Sequence, residues 1–385
     1  MERIYLDYAA TTPVHPRVLE AMLPYFNGSF GNPSSVHRYG QKAEAALESA
    51  RETVASVLHC RPDEIVFTSC GSESDNLALR GAMLAGRKKN RTWLLTSRAE
   101  HHAVSKTAEQ LEREYSFHLE WMPVDSNGVV TVEAVKGAIC DATALVSVMY
   151  ANNEIGTINP ISEIAGVCRA NGILFHTDAV QAAAYLDLDI QRLGVDLLSL
   201  GAHKLYGPKG VGALYVRKGT ELIPSQTGGG QENNLRAGTQ NVPLIVGFAE
   251  ALRLAAEERE ERVAHVKLLR DHIIGAVLES IPDSKLTGHP EGRLPNHVSF
   301  VFKDVDGNLL LQLLDAAGFA CSSGSACKTG NPEPSEVITS LGFSREWALG
   351  SLRVTLGKDS TSQEIESFLK TLPSLVEKAR GLNRR

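Results

Sequence analysis

The 385 residues contain no CxxC pair, no His/Cys cluster at zinc-site spacing and no apolar run long enough to cross a bilayer. Six cysteines, at 60, 70, 140, 168, 321 and 327, are too few and too scattered for a disulfide framework, and no metal is expected. Positive charge is in deficit: 39 Lys and Arg against 45 Asp and Glu leave a formal charge of -6. That balance offers no bulk attraction to nucleic acid or to an anionic membrane. The GK[ST] ending of a Walker A loop is missing, as is a GxGxxG fingerprint. The opening MERIYLDYAATT carries charges where a secretory signal needs an apolar core, so the cytoplasm is the expected compartment. Internal repeats and low-complexity linkers are lacking too.

What is present is an ordinary globular composition, 43% hydrophobic and 22% charged, in a chain long enough for a large core and a smaller one. From residue 64 to 216 strand-like and helical stretches alternate. Glu64–Thr68, Thr92–Thr96, Phe117–Trp121, Ala144–Tyr150, Ile173–Thr177, Asp196–Ser199 and Val211–Val216 read as strands. Helical periodicity fills Ser72 onward, His101–Tyr115, Thr131–Ile139 and Ile161–Asn171. Such alternation predicts a mostly parallel sheet covered on both faces, mixed if the last two strands form a hairpin. One long helical segment is expected from Asn241 to about Ser280. Asn296–Phe302 and Ser351–Thr355 then read as strands, with Leu309–Ala317 and Thr361–Ala379 as helices, an α+β arrangement.

Ligands of such folds bind beyond the strand ends, which here carry Cys70–Gly71–Ser72, Asn152–Asn153–Glu154, Asp178 and His203–Lys204. In SLGAHKLYGPKGVGALYV (199–216) a hairpin edge presents Lys204, which can form a Schiff base with a carbonyl cofactor or be a plain surface lysine in a Gly/Pro turn. TSCGSES puts free N–H groups and the Ser72 hydroxyl at a helix start, suited to a phosphate or to simple capping. Asp178, at the end of a buried strand, needs a partner such as a protonated pyridine nitrogen, or caps a following helix. His101 and His102 open a helix, where one ring can lie on a cofactor or both can cap. His176 reads as structural. Cys140 and Cys168 read as core residues, and Cys60 and Cys70 also lean structural. Cys327 differs, because Ser, Gly and Ala surround it in SSGSACKTG and give it no apolar wall.

In order, YLDYAATTP, FGNPSSVHRYG, FTSCGSESDN, EHHA, NNEIG, HTDAVQ, HKLYGPKG, GGGQENNLRAGTQN, SSGSAC and SLRVTLG span nearly the whole chain. In these segments the chain resembles the NifS/IscS-type cysteine desulfurases, class V aminotransferases of pyridoxal-phosphate fold type I. The resemblance implies a three-layer α/β domain with a mostly parallel mixed sheet (14–257). A smaller α+β domain (1–13 plus 258–385) would carry the cysteine loop, and the long-loop class fits its length.

The resemblance also assigns roles. Lys204 is the Schiff-base lysine; His101 stacks on pyridoxal 5'-phosphate; Asp178 pairs with its ring nitrogen and Gln181 with its phenolic oxygen. Gly71, Ser72 and His203 hold the phosphate, with Thr239 reaching it from the second subunit of a homodimer. Asn153 and Arg353 take the substrate carboxylate. Gly201 stands where the family often has serine, so one phosphate hydroxyl is either missing or supplied by Ser199. L-Cysteine would yield L-alanine, its sulfur passing to Cys327 as a persulfide and then to an acceptor protein, for instance an iron–sulfur scaffold or a tRNA-thiolation partner. Cys321, preceded by Phe319 and Ala320, is the buried alternative to Cys327. Three other readings are weighed: a selenocysteine lyase, an aminotransferase of the same fold, and a non-catalytic scaffold. Neither direct nucleic-acid binding nor membrane binding is expected.

Overall fold

Strand β1 (Ile4–Tyr5) leads into helices α1 (Pro16–Met22), α2 (Pro24–Asn27) and α3 (Arg38–Leu58). In this computed structural model, which describes residues 3–323 and 333–383, the alternating region follows. It runs β2 (Ile65–Thr68), α4 (Gly71–Arg87), β3 (Trp93–Ser97), α5 (His102–Tyr115), β4 (His118–Met122) and α6 (Val132–Ala138). Then come β5 (Thr143–Ser147), α7 (Ile161–Ala170), β6 (Leu174–Asp178), α8 (Ile190–Leu193), β7 (Leu197–Gly201) and β8 (Gly212–Val216). The seven strands form one sheet in the order β2-β8-β7-β6-β5-β3-β4. Strand β8 is antiparallel to both β7 and β2, while the other pairs are parallel. The expected hairpin therefore closes, and the sheet is mixed.

Why both faces are covered can be read residue by residue. Leu94, Leu145, Leu197 and Leu214 join a cluster with Leu77 of α4 and Leu111 of α5. Their chain neighbours Leu95, Val146, Leu198 and Ala213 join another, with Val54 of α3 and Ile164 of α7. Successive strand side chains point to opposite faces, so each strand feeds two cores and reads as a continuous apolar run. The result is three layers, as expected.

The stretch after Asn241 is two helices, α9 (Val242–Glu257) and α10 (Arg259–Ser280), not one. Glu258 interrupts them by leaving helical geometry (φ -91, ψ 5). Next come β9 (Ser284–Leu286), β10 (His297–Phe302), α11 (Gly307–Ala316), β11 (Phe319–Ala320), α12 (Glu336–Ser340), α13 (Arg345–Ala348), β12 (Ser351–Thr355) and α14 (Ser362–Asn383). Strands β12, β10 and β9 form an antiparallel sheet, and β1 pairs in parallel with β11, bringing the first residues back to the C-terminal part. The carboxyl ends of β2, β5, β6 and β7 then face Asp7–Ala10 and β12 across one cleft.

Candidate active site

One cavity of about 330 Å³ gathers Gly71, Ser72, His101, Asn153, Asp178, Gln181, His203, Lys204 and Arg353 from the strand-end loops and β12. Cys70 also lines it. Cys140 is exposed, contrary to the core position expected, whereas Cys168 is buried.

At one end, α4 starts at Gly71, with Cys70 as a cap residue that makes no side-chain cap bond. Ser72 is therefore inside the first turn rather than the cap. The early N–H groups of this 17-residue helix lack intrahelical partners and carry its positive dipole end. Gly71 is required here: a Cβ would lie 2.6 Å from Val180 Cγ2. His203 Nδ1 meets Thr11 Oγ1 at 3.2 Å. Burial, then Lys204 and Lys209, pushes its pKa down to about 4, so the ring is neutral at pH 7. Anion affinity at this end comes from the helix, not from a histidine charge.

At the other end stands Asp178, whose Oδ1 accepts from Val180 N–H at 2.9 Å. No helix follows for it to cap. Burial raises its pKa, while His101 and Lys204 pull the other way. His176, two residues earlier on the same strand face, is fully buried between Ser147 Oγ (2.8 Å) and Ser199 Oγ (3.0 Å). Burial takes it down to about 3, which keeps it an uncharged spacer, the structural role expected. His101 caps α5 by accepting Ala103 N–H on Nδ1 at 3.1 Å, and burial holds its pKa low. Capping and lining the cavity are thus compatible.

Between the ends, a turn of 3-10 helix (Ala202–Lys204) delivers Lys204. Its Nζ donates to the carbonyls of Ala9 (2.6 Å) and Ala10 (2.7 Å), and Gln181 Nε2 donates to Ala9 as well. Burial first, then Arg353, lowers the lysine to about 8 against the pull of Asp7 and Asp178. Arg353 donates from Nη1 to Asn153 O (2.9 Å) and from Nη2 to Asp7 Oδ1 (2.7 Å). Its Nε is buried without a partner. An unsatisfied buried guanidinium N–H is costly, and the arginine that carries it lines the cleft.

The family model "Aminotransferase class-V" matches residues 4–368. The chain belongs to the class V aminotransferase family. A relative named "Cysteine desulfurase IscS", from Clostridium botulinum strain Hall, is 45% identical over 99% of this chain and 96% of its own. A solved structure called "NIFS-LIKE PROTEIN" superposes with a TM-score of 0.91 at 38% identity, covering 98% of this chain and 100% of that one. Another, "SspA in complex with cysteine", gives 0.81 at 35% identity over 93% and 100%.

For this family member the cofactor is pyridoxal 5'-phosphate, and the donor set suits it. The helix start is fit for the phosphate, Lys204 for the aldehyde, and the Asp178 carboxylate, within 4.8 Å of the Asp75 and His101 donor atoms, for a cationic ring nitrogen. Thr239 is exposed and is not in the wall of its own chain's cavity. Cys327 lies outside the described residues. Cys321 packs against the core, and burial pushes its thiol well up, which suits the inert role expected of it.

Sequence reasoning missed Asp7, Asp75 and the Ala9 and Ala10 carbonyls, and it placed Glu154 at a strand end without giving it a role. Glu154 accepts from Ser335 Oγ at 2.5 Å in an adjoining cavity that shares His101 and Asn153 with the first. Burial raises its pKa to about 7. Asp75 had a signal, since it follows Ser72 by three positions and shares its helix face. Asp7 had only its place in YLDYAATT.

Proposed function

We propose that this enzyme is a homodimeric cysteine desulfurase that converts L-cysteine to L-alanine and hands the sulfur to Cys327. The observation that carries the reading is the convergence of Lys204, Asp178, His101 and Arg353 on one cavity. Relatives named as cysteine desulfurases over nearly the full length support the substrate.

Bound pyridoxal 5'-phosphate supplies an aldehyde and an electron-accepting ring. Everything else is work for the chain. Lys204, near 8, keeps a sizeable neutral fraction at cellular pH and serves as nucleophile and then as the base at Cα. Asp178 holds a negative charge where a ring nitrogen would be kept protonated, and Gln181 adds an amide beside it. The Arg353 guanidinium, which lines the cavity together with Asn153, grips the substrate carboxylate and so fixes which Cα bond is aligned for cleavage. His101, uncharged at the rim, is placed to exchange the thiol proton. The balance is simple: L-cysteine and the Cys327 thiol give L-alanine and a Cys327 persulfide. The Cβ–S bond breaks, an S–S bond forms, and the protons are conserved.

Two features support a dimer with shared sites. Thr239 sits on an exposed loop away from its own cavity. Leu19, Leu23, Phe26, Phe30 and Val36 leave apolar surface open within one stretch of chain, the kind a second copy covers. The persulfide would pass to an acceptor protein, of which an iron–sulfur scaffold fits the names of the relatives; tRNA thiolation draws on the same intermediate.

The test is L-alanine release from L-cysteine alongside mass spectrometry of Cys327. Wild type should form alanine and gain one sulfur. Cys327→Ala should lose sustained turnover but keep the cofactor, and Lys204→Ala should lose both alanine formation and the covalent cofactor band. Undiminished alanine production by Cys327→Ala would end the persulfide reading. Mixing Lys204→Ala with Thr239→Ala chains should restore activity in heterodimers if the sites are shared.

A further inference from the structure

Asp75 is nearly inaccessible, lies in the first helical turns of α4, and borders the cavity. Its Oδ1 has no hydrogen-bond partner. His176 Nε2 is 3.6 Å from that oxygen, too far for a good bond, and is already engaged by Ser199. The carboxyl of Asp178 is the next neighbour, within the 4.8 Å cluster that also holds His101. Two carboxylates this close in a site closed to water cannot both ionise cheaply.

The geometry points to Asp75 and Asp178 as a carboxyl pair that shares one proton, with Asp75 holding it and Asp178 carrying the charge. Asp75 is then a positioning residue: it concentrates a single negative charge on the carboxylate that faces the cavity. The surroundings choose between the two. Asp178 accepts a backbone N–H and faces the positive charge of Lys204. Asp75 faces Asp178, Glu100 and Cys70, all unfavourable to a second negative charge, with only the Ser199 hydroxyl to favour it. Burial above all, and Asp178 next, holds Asp75 well above the usual carboxylate range.

This inference rests on reading the cavity as the cofactor site, and the experiment separates the two. Infrared difference spectra of the full-length protein, freed of cofactor, are compared with and without isotope-labelled aspartate. Glu100, whose pKa burial also raises, is thereby kept apart. A protonated-carboxyl band that shifts on aspartate labelling is expected at neutral pH, lost in Asp75→Asn and kept in Asp178→Asn. Absence of such a band, or its loss only in Asp178→Asn, overturns the assignment. Pyridoxal 5'-phosphate is then titrated into each variant. Asp75→Asn should hold its affinity to about twofold, while Asp178→Asn should weaken it by about tenfold or more. Equal weakening in both would mean that both carboxylates carry charge, which also overturns the proposal. If wild type fails to bind the cofactor, the cavity reading falls, while the infrared result on the pair stands.

Discussion

Asp7 Oδ1 receives Arg353 Nη2 at 2.7 Å, so a residue near the start of the chain orients a guanidinium from β12. The Asn153 carbonyl takes Nη1, and the guanidinium so held lines the cavity. Asp7→Asn keeps the shape but removes the charge that holds the arm. A hydrogen bond to a charged group contributes about 1.5–3 kcal/mol, so KM for L-cysteine should rise about tenfold or more. A smaller change in kcat is expected, because Asp7 reaches the reacting amine of Lys204 only through its charge. An unchanged KM would mean that Asn153 alone orients Arg353.

Lys204 makes the pH dependence specific. Capture of the cofactor aldehyde needs the neutral amine, so the association rate should rise with pH and level off above about 8. Arg353→Gln removes a charge that disfavours the ammonium, and the inflection should move up. Asp7→Asn removes one that favours it, and the inflection should move down. Stopped-flow absorbance at several pH values measures both. A common shift in one direction would contradict the assigned signs.

The strand ends of the alternating region were legible because buried strands and amphipathic helices carry strong periodic patterns. Gly71, Asp178 and Lys204 could be found there without tertiary knowledge. Contacts spanning long sequence separations left no such trace. Arg353 pairs with Asp7 across 346 positions, and Glu154 meets Ser335 across 181. The break at Glu258 was hidden because its neighbours are all good helix formers. Helices α1 to α3 passed unremarked because their apolar residues serve two masters, with Val18 and Leu47 buried while Leu19 and Phe26 are exposed.

Arg51 and Glu232 form a buried two-armed pair, at 2.9 and 2.8 Å, and Glu232 Oε2 also accepts Phe67 N–H at 2.8 Å. Three successive residues there, Glu232, Asn233 and Asn234, hold positive φ values of 45, 55 and 64. The pair pins a strained stretch that side chains rarely adopt, a few positions before Thr239. Glu232→Gln would leave the Arg51 charge buried with half its partner. Stability should fall by about 3–5 kcal/mol, read as a lower urea midpoint. Cofactor affinity should fall with it if this loop serves a site. A neutral effect on stability would show that the loop is held by other contacts.

Gly201 offers the most direct gain of function. A Cβ built on it would sit 3.4 Å from Gly71 N and 3.5 Å from Val180 Cγ1, ordinary contact distances. Its φ of -139 is one any residue adopts, so serine there costs no backbone strain. The added hydroxyl would stand beside the helix start that is fit for a phosphate, where this chain has only hydrogen. One new bond to a charged oxygen contributes about 1.5–3 kcal/mol at best. Gly201→Ser should therefore lower the dissociation constant of pyridoxal 5'-phosphate by about tenfold, measured by equilibrium dialysis against wild type. Free phosphate should compete more strongly in the variant, since the gain belongs to that end of the molecule. A tighter cofactor without stronger phosphate competition would place the new contact elsewhere, and an unchanged constant would mean that the helix start already satisfies the phosphate alone.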